Sequence, residues 1–171
     1  IEFDKLFLVE LLSHFSDAIV QFLLVFVLLG FSNTPGSSIA IMFFCFLLPQ
    51  FLLSPLFGVL TDRLDRKKIL SISSIYRSFV VLILLFLLPK LSIGLVYFFA
   101  VILGLGAALF YPCKMAIITN IIKSTELKYA NAIVSSIGAT ALLFGALGAN
   151  YLIKFGLKTA FITICLTYLS A

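Results

Sequence analysis

Apolar residues fill five long stretches of the chain, each set off from the next by a short polar break: Leu6–Leu29, Ile39–Leu60, Ile69–Leu88, Ile93–Cys113 and Ala130–Ile153. A helix needs about 20 apolar residues to cross the hydrocarbon core of a bilayer, and each of these runs meets that length. A sixth run, Thr159–Ala171, has 13 residues and reaches the last position of the sequence, so it reads as a truncated span. The runs are rich in Leu, Phe and Ile with no period-two alternation, which predicts helices and argues against barrel strands. The breaks carry turn chemistry, in Gly30 to Gly36 and in Pro89-Lys90-Leu91-Ser92. Ser124 or Thr125, with Glu126 behind it, is a candidate N-cap for the fifth helix. The pattern predicts an all-α membrane protein, with residues 1–171 forming five complete transmembrane helices plus a truncated sixth.

Composition supports that class. The chain is 63% hydrophobic and 11% charged, with a mean hydropathy of +1.24. Soluble domains run at about 45–50% apolar and about 25% charged, and a fold of this size could not cover its surface with so few polar groups. A soluble enzyme, a secreted disulfide scaffold and a disordered segment are excluded. No phosphate loop and no metal-ligand spacing is present, so no cofactor, metal or catalytic set is expected. Cys45, Cys113 and Cys165 lie far apart within or at the end of apolar runs, where they read as small hydrophobes. The first apolar run is too long, and too acidic, for a cleavable signal peptide. A start at Ile1 rather than Met suggests a trimmed N-terminus.

The net charge of +5 points to membrane topology rather than to nucleic acid. Lys5, Arg63, Arg66, Lys67, Lys68, Lys114, Lys123 and Lys128 fall on the N-terminal side of the membrane, and Lys90, Lys154 and Lys158 on the other. Eight against three places the N-terminus in the cytoplasm.

The polar residues inside the apolar runs are the candidate chemistry. In the first span Glu10, Ser13, His14, Asp17 and Gln21 recur at spacings of three and four and share one helical edge. Ionisable groups at a helix centre cost about 2.5–3.5 kcal/mol each on insertion scales, so such an edge faces protein or water. It reads either as a cavity wall that meets substrate or a proton, or as a buried polar contact between helices. Arg77, in the third span, has three readings: snorkelling to the cytoplasmic surface past Ser73 and Ser74, meeting a carboxylate such as Asp17, or binding substrate. Gln50 is a weaker cavity candidate. Pro49 and Pro55 are expected to kink the second span, and Pro112 to break the fourth near its cytoplasmic end. Small residues, among them Gly104 with Ala108, and Ala141, Gly145 and Ala149 with Gly138 and Gly148, predict close helix packing.

The loop after the second span reads Gly58-Val-Leu-Thr-Asp62-Arg63-Leu-Asp65-Arg66-Lys67-Lys68. It resembles the signature G-x-x-x-D-R-x-G-R-[RK] between the second and third helices of the major facilitator superfamily, with Asp65 in place of the second glycine. The resemblance implies a gating loop. Gly58 would permit close helix approach and Asp62 would cap a helix N-terminus, while Arg63, Arg66 and Lys67 would pair with acidic groups and hold the cytoplasmic side shut. A second stretch, Gly106 to Lys114 with Leu127 to Ala132 and the Gly145/Gly148 run, is similar to bacterial lysophospholipid transporters of that superfamily, and more loosely to siderophore and drug exporters. Ser13-His14-Phe15-Ser16-Asp17 resembles their first-helix S-x-F-G-D stretch. The fourth span lacks the buried arginine of proton-coupled members, and Ala146 after Gly145 departs from the antiporter signature.

By resemblance the fold is the N-terminal half of a twelve-span transporter, built from three-plus-three inverted repeats. The implied activity is alternating-access transport, not catalysis, in the bacterial inner membrane. The implied partners are the lipid bilayer, a small amphiphilic solute such as a lysophospholipid, and the other half of the carrier or a second copy of this chain. Efflux of drugs or siderophores, and a non-transporting module fused to or derived from a larger protein, are the alternatives.

Overall fold

A computed structural model describes residues 2–31, 33–121 and 127–170, with side chains described from residue 7 onward except at 62–63, 121 and 127. The regular structure among the described residues is all helical: α1 (Glu2–Phe31), α2 (Pro35–Arg63), α3 (Arg66–Leu87), α4 (Ile93–Ile121), α5 (Leu127–Ile153) and α6 (Leu157–Ser170), with a 3₁₀ turn at Leu88–Lys90. Five of these helices are long and apolar enough to cross a membrane, and α6 is a shorter apolar helix.

The helices extend past the apolar runs because polar residues at the ends still complete backbone hydrogen bonds. The clearest case is α4, which continues through Pro112 to Ile121 where a break was expected. Pro49 and Pro55 likewise lie inside an unbroken α2. Proline removes one backbone donor, but neighbouring helices in a membrane bundle tolerate it. The candidate cap at Ser124, Thr125 and Glu126 lies outside the described residues.

The packing has an internal twofold order. The most extensive contacts join α2 to α4 and α1 to α5; α3 packs on α4 as α6 packs on α1, and α3 and α6 pack on each other. Exchanging the first three helices with the last three maps this set onto itself, as expected for three-plus-three repeats. The two principal crossings use a small residue. A Cβ at Gly104 would collide with the Phe46 carbonyl of α2, and one at Gly145 with Ala18 of α1. Glycine lets backbones approach where lipid supplies no hydrophobic drive for association. The core runs from Leu23, Leu24 and Leu28 of α1 to Leu84 of α3, Leu103 of α4 and Phe161 of α6. In α1 56% of the most apolar window is buried, against 17% in α2, so α2 flanks the bundle and α1 runs through it.

Candidate functional site: two charge clusters on α1

The polar edge of α1 is where the sequence pattern places it, and the neighbouring helices close over most of it. Glu10, Ser13 and Asp17 are buried, at 2%, 0% and 4% exposure. Their partners come from α3, α4 and α6. Glu10 and Asp17 are seven residues apart, or about 10 Å along the helix, and each centres its own cluster.

Asp17 forms the inner one. Arg77 of α3, with no exposed surface, donates from Nη1 to both Asp17 carboxylate oxygens at 2.9 Å and from Nη2 to Ser13 Oγ at 2.8 Å. The Tyr168 hydroxyl of α6 donates to Asp17 Oδ1. The guanidinium carbon lies over the rings of Phe110, at 4.7 Å, and Tyr168, at 4.9 Å. Gly106 of α4 makes the room, since a Cβ there would stand 2.6 Å from Arg77 Cγ. Ser73 ties the same pair of helices by donating to the Gly106 carbonyl at 2.8 Å. One carboxylate and one guanidinium, bonded to each other and to Ser13 and Tyr168, make a neutral knot at the crossing of α1, α3, α4 and α6. Of the three readings of Arg77, the structure shows the one in which it meets Asp17.

Glu10 forms the outer cluster. Lys114 of α4, 4% exposed, donates to Glu10 Oε1 at 2.6 Å, and its ammonium stands 3.3 Å from His14 Nε2. The other ring nitrogen of His14 faces the Tyr111 hydroxyl at 3.5 Å. Lys114 also lies over the Tyr111 ring, at 5.2 Å. The His14 side chain keeps 16% of its surface exposed and faces Gly138 of α5, and Tyr111 is likewise only partly buried, so this cluster is open on one side. Lys114, counted above among the cytoplasmic cations, lies in the last third of α4 and is held in an ion pair. Removing it leaves seven cations against three, with the same sign.

The remaining candidates divide. Gln21 is half-buried on the same edge. Gln50 donates to the Phe46 carbonyl of its own helix at 3.1 Å. Gly148 receives Phe15 and Ile19 of α1, and Gly145 receives Ala18, which is the packing role expected of them. In the α2–α3 turn, a Cβ at Gly58 would meet nothing within 4 Å among the described residues. The cap on α3 is Asp65, whose side chain accepts from the Lys67 N–H at 3.0 Å with φ −66°, so no glycine is required there. The side chains of Asp62 and Arg63 lie outside the described residues. Arg66 crosses to α4 and donates to the Ala116 carbonyl at 2.7 Å, and the Cys113 thiol donates to the Arg66 carbonyl.

Sequence reasoning missed Tyr111, Phe110 and Tyr168 as members of the clusters, and Lys114 as the partner of Glu10. Lys114 carried a usable signal, being a cation one turn past the Gly106 to Phe110 run with apolar residues on either side. The aromatic residues carried none, because they are ordinary in apolar helices. Among the described residues no group of His, Cys, Asp and Glu is placed to hold a metal ion.

Among curated proteins, none matches the sequence. Residues 6–171 match the family model of the Major Facilitator Superfamily.

Proposed function

Because the chain belongs to the Major Facilitator Superfamily, and so is a multi-pass membrane transporter of that type, we propose that it forms the N-terminal half of a secondary-active carrier that moves an amphiphilic solute, such as a lysophospholipid, by alternating access. In this reading a second six-helix half, or a second copy, completes the transport path, and the N-terminus is cytoplasmic in a bacterial inner membrane. The observation that carries it is the outer cluster. Glu10, His14, Lys114 and Tyr111 place two opposite charges and an imidazole inside the membrane, with His14 accessible beside α5. Buried charges are expensive in lipid and persist where they serve a path or hold a bundle together. The Asp17–Arg77 knot is fully sealed and holds the bundle, which leaves the outer cluster to meet the head group. The exposed apolar faces of α2 and α5 suit a tail. The turn at Asp62 to Lys67 acts as the cytoplasmic latch.

The test is uptake by the full-length protein in vesicles, with a panel of lysophospholipids, with and without an ionophore that collapses the proton gradient. Lysophospholipid uptake is expected, and His14→Ala should reduce it at least about tenfold while the protein stays monodisperse. Vesicles that move drugs or siderophores but no lysophospholipid would overturn the substrate. Vesicles that move none of these would overturn the carrier reading.

A further inference from the structure

On the outer side of the bundle, α3 and α4 leave an apolar groove with a volume of about 370 Å³. Val80 and Phe99, both buried, form its floor, and the exposed rings of Phe79 and Phe98 form its rims. Leu87 and Leu95 lie at the end next to the α3–α4 turn, and Tyr76 and Ile102 at the inner end. Tyr76 has the only hydroxyl in this lining, and it is spent on the Ile102 carbonyl at 3.1 Å. The groove therefore offers no polar partner to an occupant.

Its length identifies what fits. Tyr76 to Leu87 is eleven residues, or about 16 Å of helix, close to half of the roughly 30 Å hydrocarbon core. The inner end is beside Arg77, which is bound to Asp17 near the centre of α1. The outer end is the turn that carries Lys90, an exposed cation in the 3₁₀ segment. The groove runs from that turn to the centre of the span, the reach of one acyl chain in one leaflet.

We propose that the α3/α4 groove is a binding site for an anionic phospholipid of the surrounding bilayer, one acyl chain lying between Phe79 and Phe98 and the phosphate meeting Lys90. This site is on the outside of the bundle, its lining includes no residue of either charge cluster, and it is independent of the solute the carrier moves. A bound chain would fill the gap between α3 and α4 and brace the wall that holds Arg77.

These 171 residues hold no tryptophan; with any tryptophan elsewhere in the full-length protein replaced by phenylalanine, a single introduced one reports its own surroundings. The experiment places Phe98→Trp at the groove rim and, separately, Ile75→Trp on the exposed face of α3 outside the groove. Each protein is reconstituted in phosphatidylcholine vesicles containing phosphatidylglycerol, with bromine on the acyl chains of one lipid or the other, and fluorescence quenching gives the relative affinity. Phosphatidylglycerol should be preferred about fivefold at Phe98→Trp, the worth of one lysine near an anionic surface. Ile75→Trp should show no preference, and Lys90→Gln should remove the preference at the rim. Equal quenching by both lipids at the rim would overturn the proposal. So would the same preference at both reporters, or a rim preference that survives Lys90→Gln.

Discussion

Arg77 and Asp17 show how a residue pair sets the local balance of forces. Each ion alone is costly in a low-dielectric interior; together, with Ser13 and Tyr168 hydrogen-bonded to them, they form a neutral unit. Breaking a buried pair from one side costs about 3–5 kcal/mol because the other charge is left uncompensated. Asp17→Asn should therefore destabilise the protein by roughly that amount, seen in its denaturation midpoint in detergent micelles. Arg77→Gln should do the same. The double variant should lose clearly less than the sum, and strict additivity would show that the pair does not act as a unit. Glu10→Gln should cost less than Asp17→Asn, because Lys114 keeps His14 at 3.3 Å and the Tyr111 ring beneath it. Equal losses in the two variants would contradict that ordering. The polar edge of α1 was readable from spacing alone. Its partners were not, because residues 60 and 104 positions away in sequence meet only after the helices cross.

At the scale of elements, glycine has different meanings at different crossings. Gly104 faces a backbone carbonyl of α2, which cannot move aside, whereas Gly58 faces open space although it heads the loop signature. Gly104→Ala should lower stability by about 1–3 kcal/mol through overpacking at the α2–α4 crossing. Gly58→Ala should be neutral or stabilising by up to about 1 kcal/mol, the gain in helix propensity. Thermal unfolding of the two variants side by side checks this, and equal losses would mean that the crossing at Gly104 is not the close one. Asp65 illustrates the same point. Its replacement of a glycine looked like a departure from the pattern, yet an N-cap needs only a side-chain acceptor and an ordinary backbone, and Asp65 has both. Span existence was legible because about twenty apolar residues in a row have one use. Helix ends were not, since Pro112 and Lys114 are tolerated inside α4 by contacts that the sequence does not display.

For the whole molecule, the internal twofold packing and the family match describe the same object, six helices in two groups of three. The excess of Lys and Arg on one side supports the proposed cytoplasmic N-terminus, and the count keeps its sign when Lys114 is left out of it. A cysteine introduced at Ser92, in the α3–α4 turn, should react with a membrane-impermeant maleimide added to intact cells, in a background where Cys45, Cys113 and Cys165 are replaced. A cysteine at Lys68 should react only after the cells are opened. The reverse pattern would invert the topology and move the proposed latch at Asp62 to Lys67 to the outer face.

The sequence by itself determined the solvent, the element type and the polar edge of α1, because these follow from local chemistry: which residues tolerate lipid, and which positions share a helix face. Tertiary structure decided which charge meets which. Whether Arg77 reaches water or Asp17, and whether Lys114 sits in a loop or on Glu10, depends on the depth and rotation at which the helices cross. Those are set by close contacts such as Gly106 on Arg77 and Gly145 on Ala18. Such contacts join residues distant along the chain, and no local pattern carries them.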